Sequence, residues 1–190
     1  MRKITSQKEK DKKKKLIITI GGLFLIVIMF FSVLGYSFQG MMDKGSKKIT
    51  YNEFEFINQN GLWFVEGENF NLEFSYNPNE VEQIGSEINL FENYYQATLY
   101  IYSESPEAKL EISRNLDQFI LRRQPACPEG EENCDEKWPV KTCESRFIII
   151  QESNQSMITQ KENCVFIQGP QENLTQLADE FLFKIFEIEQ

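Results

Sequence analysis

Leu16 to Leu34 reads LIITIGGLFLIVIMFFSVL, 19 residues without a charged side chain. Nothing else in the chain constrains its folding as tightly, because a helix that is apolar on every face has no side to offer to water. At ~1.5 Å rise per residue the run extends ~28 Å, close to the ~30 Å hydrocarbon core of a bilayer. The reading is a transmembrane helix over residues 16–38, with a basic cytoplasmic tail at 1–15 before it. A tether at 39–48 and an extracytoplasmic domain at 49–190 follow.

Charge gives this arrangement a direction. Residues 1–15 hold eight Lys/Arg against two acids, a net of +6, whereas residues 49–190 hold nine against 26, a net of −17. Positive charge stays on the cytoplasmic side, so the chain is expected to cross the cell membrane once, N-terminus inside and C-terminal domain outside. A cleaved signal peptide would have an apolar region of only ~7–15 residues followed by small residues. The run here is longer and lacks Ala-x-Ala, although Gly35-Tyr36-Ser37 offers a small-x-small match. The expectation is an uncleaved signal-anchor, which makes the lipid bilayer a partner through residues 16–38. The acidity of the outer domain argues against nucleic acid as a partner, since phosphate recognition needs clustered Lys/Arg.

Beyond the tether the apolar period changes to two. In FNLEFSY (70–76), Phe70, Leu72, Phe74 and Tyr76 alternate with Asn71, Glu73 and Ser75, the pattern of a half-buried strand. YNEFEFI (51–57) and LWFVE (62–66) precede it across Asn/Gly-bearing joints suited to tight turns, so residues 50–76 are expected as a three-stranded meander. QATLYIYS (96–103) reads as another strand. Ser105-Pro106-Glu107 then supplies a cap, a first-turn proline and a first-turn acid for a helix running to about Arg123. Strands at 146–152, 156–161 and 164–169 are expected as a second meander, and a helix at about 172–187 closes the chain. The fold class is α+β: an N-terminal transmembrane helix, then a mostly antiparallel sheet domain with two main helices.

The four cysteines, Cys127, Cys134, Cys143 and Cys164, are separated by six, eight and twenty residues, and the chain has no histidine. Zinc sites use Cys-x(2–4)-Cys pairs or histidines, so no metal is expected. Glu129, Glu131, Glu132, Asp135 and Glu136 would raise a thiol pKa, which argues against a redox centre. An even cysteine count outside the cell fits two disulfides, with three connectivities open. The expected pairs are Cys127 with Cys134, closing the acidic loop, and Cys143, just before the strand at 146, with Cys164, which begins the strand at 164.

Catalytic motifs are mostly missing. Without histidine there is no Ser-His or Cys-His pair, and no phosphate-cradling loop, nucleophile elbow or dinucleotide fingerprint appears. No cofactor and no catalytic residue is expected, and the chain is read as something other than an enzyme. The alternative is an envelope enzyme using carboxylates in a cleft. Asn154-Gln155-Ser156 and Asn173-Leu174-Thr175 match the glycosylation acceptor sequence, making Asn154 and Asn173 candidate glycosylation sites.

The run KTCESRFIII, then ENCVFIQG, then LADEFLFKIFEI resembles small single-pass membrane-anchored proteins of archaea. In those, a Cys before a strand and an Asn-Cys strand precede a terminal amphipathic helix. The resemblance covers residues 140–188; it implies an archaeal envelope protein and brings no activity and no functional residue with it.

What remains is binding. On the closing helix Phe183 lies about 180° from the stripe centred near Leu174 and Ile185, at ~100° per residue, with Phe186 on its flank. Both are candidate contacts for an envelope protein partner; otherwise the helix is covered on two sides. The sequence thus reads as an anchored extracytoplasmic binding or interaction domain.

Overall fold

A computed structural model of the 190-residue chain describes residues 18–30, 47–67, 70–131 and 134–188. The chain forms two units, Met1–Gly45 and Ser46–Gln190. The basic tail at 1–15, the outer parts of the expected 16–38 span and most of the 39–48 tether lie outside the described residues.

In the first unit, residues 18–30 are helical (α1), and their apolar side chains are exposed on all sides. Among the described residues no helix is long and apolar enough to cross a membrane. The thirteen described residues of α1 account for ~20 Å of helix.

The second unit is α+β. Its first sheet is an antiparallel meander of four strands: β1 (Lys48–Tyr51), β2 (Phe54–Gln59), β3 (Leu62–Glu66) and β4 (Asn71–Phe74). The sequence reading has one strand at 51–57 where two occur. Asn52 adopts a left-handed conformation (φ 50°), so Asn52-Glu53 turns the chain and splits that stretch.

The second sheet has five strands in the order β10-β11-β9-β5-β6. β5 (Thr98–Ser103) leads through α2 (Pro106–Leu116) to β6 (Arg122–Pro125), which lies parallel beside it. A parallel neighbour needs a crossover of this kind, and α2 supplies it. The Ser105 hydroxyl caps α2 by accepting the Ala108 N–H at 3.2 Å. The helix was expected to reach Arg123 but ends at Leu116. The Leu121 N–H then donates to the Ala97 carbonyl, and β5 takes the following residues as a strand. Arg122 and Arg123 therefore line a charged sheet edge rather than a helix end.

β9 (Phe147–Glu152), β10 (Met157–Lys161) and β11 (Cys164–Gly169) do not form the expected second meander. β10 and β11 are an antiparallel hairpin, and β11 then pairs parallel to β9, which pairs parallel to β5. Phe147, Ile148, Ile149 and Ile150 are all buried. A strand covered on both faces suits the middle of a partly parallel sheet. β7 (Cys127–Pro128) and β8 (Val140–Lys141) form a small separate pair.

α2 and α3 (Leu174–Ile185) pack together as a middle layer. α2 meets β4 on one side and β5 on the other; α3 meets β9, β10 and β11. The main core runs through this layer: Phe56, Trp63 and Phe74 from the first sheet, Ile112 and Leu116 from α2, Leu177, Phe181 and Phe183 from α3, and Leu99, Ile148, Ile167 from the second sheet. Burying each such side chain contributes roughly 1.5–3 kcal/mol.

Candidate functional site

The far face of the second sheet carries a smaller core of Tyr102, Ala126, Phe147, Ile149 and Cys164, with Trp138 and Phe166 packed on it. The cysteine loop closes over this face. Cys127 is bonded to Cys134 and Cys143 to Cys164, as expected, with Cα atoms 5.9 and 4.9 Å apart. The second bridge forms because β9 and β11 are parallel neighbours that begin at the same end. Lys109 lies over the Trp138 ring at 5.7 Å and Lys141 over Tyr100 at 4.6 Å, so cation–π contacts help hold the loop down. Two structural disulfides belong to an oxidising compartment.

A second cluster lies inside the helix layer, and the sequence reading missed it. The outer edge of β4 and the chain after it have no strand partner, and acidic and amide side chains from α2 and α3 take their backbone donors instead. The Glu73 N–H donates to Asn115 Oδ1 at 2.8 Å, and Asn115 Nδ2 returns a bond to the Glu73 carbonyl at 2.7 Å. The Ser75 N–H and hydroxyl donate to Glu111 at 3.1 and 2.7 Å. The Tyr76 N–H donates to Asp179 at 2.8 Å and the Ile84 N–H to Glu180 at 2.9 Å. Glu111, Asn115, Asp179 and Glu180 are all fully buried. Arg114 pairs with Glu111 and Lys184 with Glu180, the latter at 3.4 Å. Burial, then the neighbouring charge and hydrogen bond of Glu111, push the Asp179 carboxyl well above its ordinary pKa. These carboxylates are occupied with holding residues 73–84 to the helices. The signal for them was present: Glu111 and Asn115 sit four apart and flank Ile112 and Leu116 on the buried side of α2.

The third feature is an apolar cleft of about 390 Å³, walled by Phe54, Phe70, Phe91, Phe119 and Phe186. Five separate parts of the chain each contribute one ring. Phe91 opens a 3-10 turn (Phe91–Asn93), Phe119 follows α2 and Phe186 ends α3. Phe91 and Phe119 meet edge to face at 4.8 Å between centroids, and Phe186 lies 5.2 Å from Phe91 and 5.8 Å from Phe119. Each of the five rings is only half-buried. Gly67 lets the Phe70 ring approach, since a Cβ there would lie 2.4 Å from the ring. The surface continues onto exposed Tyr95 and Leu90, Tyr95 meeting Phe91 at 5.9 Å. Glu92 and Glu187 are the ionisable side chains on the lining.

The candidate contacts from the sequence therefore part company. Phe183 is fully buried, its ring 4.7 Å from Phe74 and 6.0 Å from Phe56. Its side of α3 is covered by Phe56 and Phe74 of the first sheet rather than open to a partner. Phe186, one turn on, lines the cleft. Asn154 is exposed between β9 and β10, and Asn173 is half-buried at the end of the 3-10 turn before α3.

No family model, no curated protein and no solved structure matches the chain.

Proposed function

We propose that the protein is a single-pass membrane-anchored binding domain of the cell envelope, its C-terminal unit outside and its work done through protein contact. The observation that carries the binding half is the half-open aromatic cleft at Phe186. Soluble domains seldom leave five phenylalanine rings together at the surface, and apolar patches of this kind mark interaction sites. The two disulfides and the charge asymmetry of the sequence support the outer location. The acidic groups of the helix layer favour no carboxylate enzyme, because Glu111, Asp179 and Glu180 hold backbone donors in the interior.

Crosslinking in native membranes, followed by identification of what is joined to residues around 90–95 and 186–187, tests this reading. A protein partner crosslinked through those positions is the expected result. A chain that crosslinks to nothing in its own membranes, at any exposed position, would overturn it.

A further inference from the structure

Glu187 occupies a costly place. It follows the C-terminus of α3 with φ 55°, a left-handed conformation that disfavours any residue with a Cβ and that glycine usually supplies at this point in a helix stop. The stop itself is a Schellman-type closure, the Ile188 N–H donating to the Phe183 carbonyl at 2.8 Å. A carboxylate there also faces the negative end of the helix dipole. Backbone and electrostatics both disfavour glutamate, yet the side chain stands on the lining of the aromatic cleft.

Among the described residues it forms no ion pair. Lys184, the nearest cation along the chain, is paired with Glu180. Glu92, the other acid of the lining, also has no ion pair among the described residues. An apolar cleft with two carboxylates that form no ion pair among the described residues, on a domain of net −17, is complementary to an apolar group with a positive charge next to it.

Resting on the binding reading above, we infer the chemistry of the partner: a protein segment that sets an aromatic or branched aliphatic side chain among Phe91, Phe119 and Phe186 and a flanking lysine or arginine against Glu187 and Glu92. A segment fits better than a small ligand because the cleft is half-open and runs on to Tyr95, 54% exposed, and Leu90, 42% exposed. A chain crossing it covers that extension; a molecule confined to the cavity does not.

The test uses the full-length protein in zwitterionic nanodiscs. A fluorescent 12-residue peptide of alternating lysine and leucine is compared by anisotropy with a glutamate–leucine and a lysine–serine counterpart. The lysine–leucine peptide should bind best, and Phe186→Ser and Glu187→Gly should each weaken it about tenfold, a loss typical of a single interface contact. Glu187→Gly should do so with an unchanged or raised melting temperature, which separates lost recognition from lost folding even if Phe186→Ser fails to fold. Binding that is absent, equal for lysine–leucine and glutamate–leucine, or insensitive to Glu187→Gly overturns the proposal; so does a self-association that Glu187→Gly removes, which would give the cleft to a second copy. Repeating the membrane crosslinking with Glu187→Gly distinguishes the two failures. A partner retained there leaves the binding reading standing and removes this site, whereas no partner with the wild-type chain removes the reading itself.

Discussion

Asp179 and Glu111 are buried carboxyl neighbours on α3 and α2, and Asp179 Oδ1 has no hydrogen-bond donor among the described residues, an arrangement that favours a proton on one of the two. The raised pKa of Asp179 comes first from burial, then from Glu111; the Tyr76 N–H and Arg114 oppose it more weakly. A carboxyl whose pKa is higher folded than unfolded stabilises the fold fully below its unfolded value, ~3.9, and loses that contribution as pH rises through its folded value. Asp179 therefore costs stability toward neutral pH. Asp179→Asn keeps an oxygen for the Tyr76 N–H and supplies a permanent donor to Glu111. Melting curves at pH 5 and pH 8 should show the wild type losing more stability between them than Asp179→Asn does, a difference that cancels the opposite contributions of the other acids. Equal slopes would mean that the pair does not share a proton. The spacing of Glu111 and Asn115 beside Ile112 and Leu116 hinted at this cluster but not at its task, because acids read as solvent-facing by default. What reverses the default is a row of unpaired backbone donors at 73–84, and those exist only once β4 has met the helices.

At the scale of elements, α3 shows how far periodicity carries. Its position and end were legible within two residues, from Leu174, Leu177, Ala178, Phe181 and Ile185 at helical spacing. The second covered side was not, since it depends on Phe56 and Phe74, more than 100 residues earlier. The contrast between neighbouring aromatics is measurable. Phe183→Ala should destabilise by about 3–5 kcal/mol in urea denaturation, the cost of a large cavity, and Phe186→Ala, half-buried, by clearly less. Equal costs would contradict the sandwich. The second sheet carried a readable sign: a run without alternation, here FIII from Phe147 to Ile150, indicates a strand covered on both faces, not a meander strand with a wet side. Its disulfides should rank by loop length. Replacing Cys143 and Cys164 by serine should cost ~3 kcal/mol, and replacing Cys127 and Cys134 only ~2, by the loop-entropy relation. The reverse order would show that the 127–134 loop contributes mainly by covering Tyr102 and Ile149.

For the whole molecule, the layering was not legible in the sequence, and the reason is physical. Net charge, an unbroken apolar run and cysteine number are sums over local sequence. The stacking of sheet, helices and sheet is fixed by contacts such as the Asn52 bond to the Ile188 carbonyl, 136 residues apart. Placement also links two features that the sequence keeps separate, the lysines at 8, 10, 12, 13, 14 and 15 and the disulfides some 120 residues later. If those lysines hold the N-terminus inside, they also decide which redox environment the cysteines meet. In intact cells, a membrane-impermeant protease should remove the domain at 49–190 while sparing an N-terminal tag, and all four thiols should resist alkylation. Replacing the six lysines with glutamine should invert a fraction of the chains. In that fraction the domain should become protease-protected and its thiols reactive, because the cytoplasm keeps them reduced. Digestion of the tag in wild-type cells would reverse the map. Inverted chains that still resist alkylation would break the link between charge and oxidation, and the disulfides would then owe nothing to which side of the membrane the domain occupies.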